Sequence, residues 1–445
     1  MNRNRRRYTC RWIVHVAVQV CLFNLILVMP VYATDPHVTD YSKSTLGLYD
    51  ISTFDVYADR QTVHIIAGGK QTKGDRQLTV QYMQSKDGGR NWTNPITINE
   101  KKTAISAKRG NDIQLAASGS QLVALMQEKS ELPGMGPIIS LYSSDHGKTW
   151  QLGANPAHDD DGNQAHIELI ADQRGVFHAV WLEDPEENGY QSIRYAQSID
   201  GGKQWQQPKT LDDTTCSCCW NTMVLSSQGL LNVLYRDMVP RDMTLIQSAD
   251  NGSSWQHVGT VGEFGWQLNG CPQTGGSLAY VRQNKVELLH SLVWTGMNEK
   301  AGLYYLVSSD NGRNWSAPKR LGVAAINGDL AGHDGRGVMA VWNEMEAVGM
   351  SVIYAETKDN GVTWSSPVRI AKADNAATQP RLVATTGSNA LVLWTEKLAG
   401  WPGKSFYQRI IVNRQLNNIF EAGNTRQKYA ANLLQAHFEP GLAPR

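Results

Sequence analysis

Residues 308–315 read Ser308-Ser-Asp-Asn-Gly-Arg-Asn-Trp315, and five other stretches of the chain repeat this turn with the same key residues. All six copies follow the pattern Ser/Thr-x-Asp-x-Gly-x-x-Trp. Their aspartates, at positions 87, 145, 200, 250, 310 and 359, lie 49 to 60 residues apart. A period of this size predicts one supersecondary unit per copy, stacked in series along most of the 445-residue chain.

The residue types in the motif are those that a tight turn between two strands requires. The aspartate can accept backbone N–H groups of its own turn, the glycine can adopt a positive φ, and the tryptophan can cover the sheet with a large apolar surface. Short alternating patterns typical of strands precede each copy, and in the third unit they occupy residues 166–170, 176–181 and 192–197. Together with the strand that follows the tryptophan, each unit is predicted to be a four-stranded antiparallel sheet.

Such sheets repeated in series predict an all-β fold, a single β-propeller, because a radial arrangement leaves few exposed strand edges. After the last copy, residues 381–384, 391–395 and 406–412 have strand patterns without the motif. An N-terminal strand at residues 46–51 would complete this unit and close the ring. We therefore favour seven blades, with six as the alternative.

The two ends of the chain lack the repeat. Residues 1–33 combine a cluster of arginines, an apolar run and a final Val-Tyr-Ala, a pattern typical of a signal peptide, with a retained membrane anchor as the alternative. The propeller is expected to span residues 34–412, followed by a tail at 413–445 with one helix at 427–436. We expect an exported bacterial protein, periplasmic or secreted, without a stable membrane span in the mature chain. The net charge of +1 argues against a nucleic-acid partner.

The six motifs resemble the Asp-box, or bacterial neuraminidase repeat, of the sialidase superfamily, and the resemblance covers about residues 45–412. It implies a propeller whose boxes lie away from the ligand-binding face. It also implies that a true sialidase would have three arginines for the substrate carboxylate, a tyrosine nucleophile with a glutamate partner, an aspartate acid/base and an Arg-Ile-Pro motif. The chain contains no Arg-Ile-Pro and no clear arginine triad, which argues against exo-sialidase activity. Whether the protein is an enzyme stays open, with glycoside hydrolysis as the reaction class if it is.

Ligands of propellers usually bind where the loops that lead into the innermost strands converge with the loops that join the second and third strands. Glycosidic cleavage needs paired carboxylates, and several lie in these loops, with solvated rim residues as the alternative. The candidate catalytic residues are Arg236, Asp237, Glu183 and Glu344. The candidate substrate-binding residues are Arg109, Trp220, Arg241 and Trp294. The first hypothesis is a glycan-directed protein, either a hydrolase outside the sialidase mechanism or a carbohydrate-binding propeller.

Cysteines form a second cluster of chemically reactive side chains. Cleavage after residue 33 would leave Cys216, Cys218, Cys219 and Cys271. An even number in an exported chain indicates disulfides, whereas three or four thiolates at one point would suit Cu or Zn. The combination of Cys-x-Cys-Cys, Tyr-Arg-Asp at 235–237 and a later Cys-Pro resembles a subset of bacterial Asp-box proteins. The second hypothesis is therefore a metal-binding or redox-linked propeller, and the third is a scaffold for another exported protein.

Overall fold

The computed structural model describes residues 46–412, apart from gaps at 60, 100–103, 108–111, 132–134, 186–190, 271, 284, 347–348, 372–375, 386–388 and 398–403. The predicted signal peptide, the tail and its helix all lie outside the described residues. Within those residues the protein is all-β, with 28 strands. No helix suited to crossing a bilayer occurs among them.

The first three blades share one plan, in which four antiparallel strands follow one another in chain order. Blade 1 consists of β1 (Asp50–Asp59), β2 (Thr62–Lys70), β3 (Thr79–Ser85) and β4 (Ile96–Thr97). Blade 2 contains a short additional strand, β5 (Ile105–Ser106), followed by β6 (Ile113–Ser118), β7 (Gln121–Glu128), β8 (Ile138–Ser143) and β9 (Gln151–Leu152). Both β5 and β6 pair with β7. Blade 3 consists of β10 (Ala165–Ala171), β11 (Phe177–Glu183), β12 (Gln191–Ser198) and β13 (Lys209–Thr215).

The next three blades repeat the plan. Blade 4 consists of β14 (Thr222–Leu225), β15 (Leu231–Arg236), β16 (Met243–Ser248) and β17 (Gln256–Val261). Blade 5 consists of β18 (Ser277–Gln283), β19 (Val286–Thr295), β20 (Gly302–Ser308) and β21 (Lys319–Gly322). Blade 6 consists of β22 (Ala325–His333), β23 (Gly337–Glu346), β24 (Gly349–Thr357) and β25 (Val368–Arg369). The predicted propeller of four-stranded antiparallel blades is therefore confirmed.

The chain ends, within the described residues, in a three-stranded sheet: β26 (Ala376–Ala384), β27 (Asn389–Lys397) and β28 (Lys404–Val412). The described residues contain six blades, five with four strands and blade 2 with the additional short strand β5, so the favoured seventh four-stranded blade is not confirmed. The predicted closing strand at 46–51 is wrong, because Asp50 and Ile51 begin β1 and pair with β2. Leu46 and Gly47 have φ values of 51° and 73°, a left-handed turn that interrupts an extended strand.

The hydrophobic core lies between neighbouring sheets. Tyr305 of blade 5, for example, packs in one cluster with Trp342 of blade 6. The three-stranded sheet packs on both sides: Trp394 belongs to a cluster with Tyr354 of blade 6, and Leu391 to a cluster with Phe54 of blade 1. The first strands of consecutive sheets contact one another from β1 through β26 and back to β1, so they line a central channel.

The Asp-box turns have the local geometry that the sequence predicts. In the fifth copy Asp310 accepts hydrogen bonds from the Ser308 hydroxyl at 2.7 Å and from the backbone N–H of Asn314 at 2.9 Å. The Ser308 hydroxyl oxygen accepts the N–H of Gly312 at 2.8 Å, and Gly312 has a φ of 85°. A side chain at Gly361, the equivalent position in the last copy, would place its Cβ 2.0 Å from the Tyr305 ring of the preceding blade. The turns therefore also fix the approach of adjacent blades.

The Asp-box carboxylates make the stability of the propeller sensitive to acid. Hydrogen bonds, the largest from the side chain of Asn314, lower the pKa of Asp310 to about 2. Because the folded pKa lies below the ordinary value of 3.8, this carboxylate stabilises the fold above that pH and loses its contribution as the pH falls towards 2. We expect the urea concentration at the unfolding midpoint to decrease as the pH is lowered from 5 to 2. This decrease should be less steep in Asp310→Asn. Asp213→Asn, at an exposed site outside the turns, should keep the wild-type slope, and equal slopes in all three proteins would contradict the account.

Candidate functional site

Four charged side chains occupy equivalent positions on the inner strands. Each lies on the first strand of its sheet and at the same level, as its backbone partner on the second strand shows. The pairs are Asp55 with Ile66 in β1–β2, Glu168 with Val180 in β10–β11, Asp329 with Val341 in β22–β23, and Arg381 with Leu393 in β26–β27. Their charges interact across the channel. We call Asp55, Glu168, Asp329 and Arg381 the channel set.

A local distortion precedes three members of the channel set. His166, Asn327 and Gln379, each two residues earlier, have φ values of 54°, 53° and 61°, and the strand register shifts at each place. Such bulges bend a strand and re-aim the side chains that follow, and they are frequent near functional sites. A left-handed conformation at residues other than glycine also stores strain, which the surrounding sheet must compensate.

The carboxylates of the channel set also connect neighbouring inner strands. Asp55 accepts the backbone N–H of Leu115 at 2.8 Å, and Asp329 accepts the N–H of Leu382 at 2.9 Å and the Ser277 hydroxyl at 2.8 Å. These bonds fix the carboxylates on a rigid frame. Asp55 is 7% exposed, while the other three members of the set are half-buried and reach solvent.

Burial separates the protonation behaviour of the two carboxyls on β1 and β10. Burial raises the pKa of Asp55 to about 6 and that of Glu168 to about 8, even though Arg381 acts in the opposite direction on both. Burial alone would lower the pKa of Arg381. The pKa is instead raised, because its guanidinium interacts with the nearby carboxyl groups of Asp329, Asp55 and Glu168. At neutral pH the channel therefore holds a protonated Glu168 and a guanidinium cation, and Asp55 is mostly ionised. Two carboxyls with separated pKa values are suited to acid and base roles.

Glu183 and Glu344, the two glutamates predicted to be catalytic, lie on different blades and bind tryptophan side chains. Glu183 accepts the indole N–H of Trp181 at 3.0 Å, and Glu344 accepts that of Trp342 at 2.8 Å. Glu183 also accepts the Gln164 amide at 2.6 Å. The spacing Trp-x-Glu places donor and acceptor on the same side of a strand. These contacts give both glutamates a structural role in their blades.

Arg236 and Asp237, the other two predicted catalytic residues, lie at the end of β15. Arg236 is 1% exposed and donates to the carbonyls of Thr274 at 3.3 Å and Trp294 at 2.9 Å, and also to that of Arg241. Its guanidinium lies 5.4 Å from the centre of the Trp266 ring. Asp237 is half-buried and accepts the N–H of Met238 at 2.6 Å. Arg236 therefore ties together the loops of blades 4 and 5.

Three of the predicted substrate-binding residues lie in blades 4 and 5 or in the loops around them. Trp220 makes an edge contact with His166 at 5.7 Å between ring centres, and Trp294 makes one with Trp266 at 5.3 Å. Arg241 donates to the Leu268 carbonyl at 3.2 Å. All three are half-buried, so each keeps some exposed surface. Arg109 lies outside the described residues.

The predicted cysteine cluster is present in the turn before β14, which contains Cys216, Cys218 and Cys219. Their sulfur atoms lie within 4.8 Å of one another, with Sγ–Sγ distances of 3.1 Å between Cys216 and Cys219 and 3.7 Å between Cys216 and Cys218. Cys218 is disulfide-bonded, whereas the other two are buried free thiols. Cys271 lies outside the described residues. While the disulfide is intact, the turn offers two thiol ligands to a metal instead of three.

The two free thiols differ in acidity. A hydrogen bond from the Cys219 thiol lowers the pKa of Cys216, and Arg241 and Arg236 act in the same direction. Burial raises the pKa of Cys219, and its bond to Cys216 adds to this. Cys216 is therefore the thiol that ionises first.

Sequence reasoning did not identify Asp55 and Glu168 of the channel set, although the Asp-box spacing contained a signal for both. Asp55 precedes the box aspartate Asp87 by 32 positions, and Glu168 precedes Asp200 by the same number. Counting back from these two boxes would have marked Asp55 and Glu168 as equivalent positions. Charged residues on the inner strands of an all-β fold are unusual, and this was the sequence signal for a candidate site.

Comparisons with known proteins match part of this chain to a described repeat family. Residues 54–264 match the family model described as a BNR repeat-like domain. A sialidase of Micromonospora viridifaciens is 30% identical over 169 residues, which are 36% of this chain and 25% of the relative, so the chain spans about a quarter of that protein.

Solved structures that match this chain share little sequence with it. A protein from Dyadobacter fermentans has a TM-score of 0.47 at 14% identity, over 70% of this chain and 95% of its own. The NanB sialidase from Streptococcus pneumoniae has a TM-score of 0.43 at 12% identity, over 80% and 66%. The α-L-arabinanase of Penicillium chrysogenum has a TM-score of 0.44 at 14% identity, over 67% and 92%. The family model covers residues 54–264, just under half of the chain, and the Asp-box turns and four-stranded antiparallel blades of this region agree with a BNR repeat-like β-propeller.

Proposed function

We propose that the protein is glycan-directed and that its ligand binds in the central channel at the channel set. The observation that carries this proposal is the presence of three carboxyl groups and one guanidinium at one level of the inner strands, with two of the carboxyls differing in pKa. Strongly shifted titratable groups in a concave site are typical of catalytic or binding sites. The partial match to a sialidase supports a glycan as the ligand class.

Glycosidic cleavage is the reaction class that these groups support. Glu168, protonated at neutral pH, can donate its proton to the leaving oxygen, as a general acid must. Asp55 and Asp329 are the candidates for the second carboxylate, and Arg381 can orient polar groups of the sugar. This mechanism needs neither the arginine triad nor the Arg-Ile-Pro motif of true sialidases. A propeller that binds the glycan without cleaving it is the runner-up.

A panel of substrates tests this proposal. The protein is incubated with neutral and uronic-acid polysaccharides and with nitrophenyl glycosides, alongside sialyl-lactose, and reducing ends are counted. We expect release from a substrate without sialic acid and none from sialyl-lactose. Asp329→Asn should lose this release, whereas Glu183→Gln, which alters a carboxylate bound to Trp181, should retain it. Binding without release would favour the runner-up, and neither binding nor release would contradict the proposal.

A thiolate metal site is the second candidate function, since three cysteine sulfur atoms lie within 4.8 Å of one another. Cys271 would be the fourth ligand for Cu or Zn, after reduction of the disulfide at Cys218. Elemental analysis with a thiol count on anaerobically purified protein tests it. One bound ion per chain would support this candidate, and two disulfides without metal would contradict it.

We also propose that β26–β28 serve as a seventh blade, because this sheet packs against blade 6 and blade 1. Export by cleavage after residue 33 is a further proposal. N-terminal sequencing of protein from the native host tests it, since Thr34 should be the first residue. A chain that starts upstream and stays with the membrane fraction would indicate a retained anchor.

A further inference from the structure

The turn 216–219 places two free thiols in the spacing Cys-x-x-Cys. The Sγ atoms of Cys216 and Cys219 lie 3.1 Å apart, and both residues are 1% exposed. A disulfide bond is about 2.05 Å long, so a movement of roughly 1 Å would join them. Ser217, between the cysteines, is exposed, which places the turn at the protein surface.

We propose that Cys216 and Cys219 form a redox couple that alternates between a dithiol and a disulfide by exchange with a small external disulfide or a thiol–disulfide oxidoreductase. The pair lies outside the channel set and uses different chemistry, so it does not depend on the glycan-directed function. It also differs from a metal site, because within the turn 216–219 Cys216 and Cys219 are free thiols whereas Cys218 is disulfide-bonded.

The environment assigns a different role to each thiol. Cys216 is the attacking thiol, because it adjoins the exposed Ser217, whereas Cys219 lies against the buried guanidinium of Arg236. The Cys216 thiolate attacks the external disulfide, forms a mixed disulfide and releases one thiolate of the oxidant. Cys219 then loses its proton to solvent and attacks the Cys216 sulfur, which releases the second thiolate. Two protein thiols are thereby oxidised and one external disulfide is reduced to two thiols.

Arg236 allows the protein to hold both states. Its guanidinium contacts the Cys219 side chain. It also donates to the carbonyls of Thr274, Trp294 and Arg241, and these acceptors are present whether the cysteines are thiols or a disulfide. The loops of blades 4 and 5 are therefore held together in both redox states.

Thiol counting in redox buffers tests the couple. Purified full-length protein is equilibrated in glutathione buffers from fully reduced to fully oxidised, trapped by alkylation and analysed by peptide mass spectrometry. We expect Cys216 and Cys219 to lose reactivity together, in one two-electron transition, with an internal disulfide in the peptide that contains both. Two thiols that remain alkylatable in oxidised glutathione, or a bound metal that protects both, would overturn the proposal.

Single replacements separate the two roles. In Cys219→Ser the remaining Cys216 has no resolving partner, so we expect a stable mixed disulfide with glutathione. In Cys216→Ser the remaining Cys219 should form this adduct at least about tenfold more slowly, because its side chain lies against the buried Arg236 guanidinium and not beside the exposed Ser217. Ser217→Ala, within the same turn, should behave as wild type. Equal adduct formation at both cysteines would contradict the assignment, and the wild-type titration decides the proposal if either variant fails to fold.

Discussion

Replacing Glu168 with glutamine is expected to lower the rate of glycan cleavage by about 10²- to 10⁴-fold, the usual contribution of a general acid. Glutamine has nearly the same shape but cannot donate the proton that the leaving oxygen needs. It can still accept the hydrogen bond that Glu168 receives from the backbone of Met223. The fold and ligand binding should therefore persist. Initial rates and binding isotherms on the substrate found in the panel measure both effects.

The pH dependence of the same reaction provides an internal check. In the wild type we expect the rate to fall below about pH 6, as Asp55 becomes protonated, and above about pH 8, as Glu168 ionises. Because the channel carboxyls interact, these two apparent pKa values describe the channel set as a whole and not single residues. Glu168→Gln should lose the alkaline limit. Glu344→Gln, whose carboxylate binds Trp342, is the control, and a similar loss there would contradict the assignment to Glu168.

Replacing Arg236 with alanine is expected to destabilise the protein by about 3 kcal/mol or more. The change removes the donor from three carbonyl groups, those of Thr274, Trp294 and Arg241, and a buried acceptor without a partner costs about 1–3 kcal/mol. It also empties the space beneath the Trp266 ring. Urea unfolding followed by tryptophan fluorescence measures the free energy of unfolding.

Arg320→Ala is the matched control for Arg236→Ala, because Arg320 is exposed and makes one long contact at 3.5 Å. We expect its free energy of unfolding to stay within about 0.5 kcal/mol of wild type. If Arg236→Ala unfolds like the control but loses activity, Arg236 is catalytic and the structural role given to it here is wrong.

The propeller could be predicted because the Asp-box residues act within their own turn. Asp310, Ser308 and Gly312 form their bonds over four positions, so their spacing alone carries the geometry. Closure of the ring could not be predicted in the same way. The structure of residues 46–51 depends on the left-handed turn at Leu46 and Gly47. The pattern of apolar residues in this segment does not indicate such a turn.

The candidate site was harder to predict, since its members come from distant units. Asp55 and Arg381 are separated by most of the chain and meet only when the inner strands surround the channel. Conversely, Glu183 and Arg236 have the chemistry of catalytic residues, but burial gives them partners in the fold. The cysteine turn was identified correctly because its residues are adjacent, while the disulfide at Cys218 required the structure.

A crystal structure of Glu168→Gln soaked with the oligosaccharide that the wild type cleaves is the most direct test of the channel site. We expect the sugar at mid-channel, with its glycosidic oxygen within hydrogen-bond distance of residue 168 and its polar groups against Asp329 and Arg381. A sugar bound on the loops around Trp220 and Trp294, with the channel set untouched, would contradict the central claim.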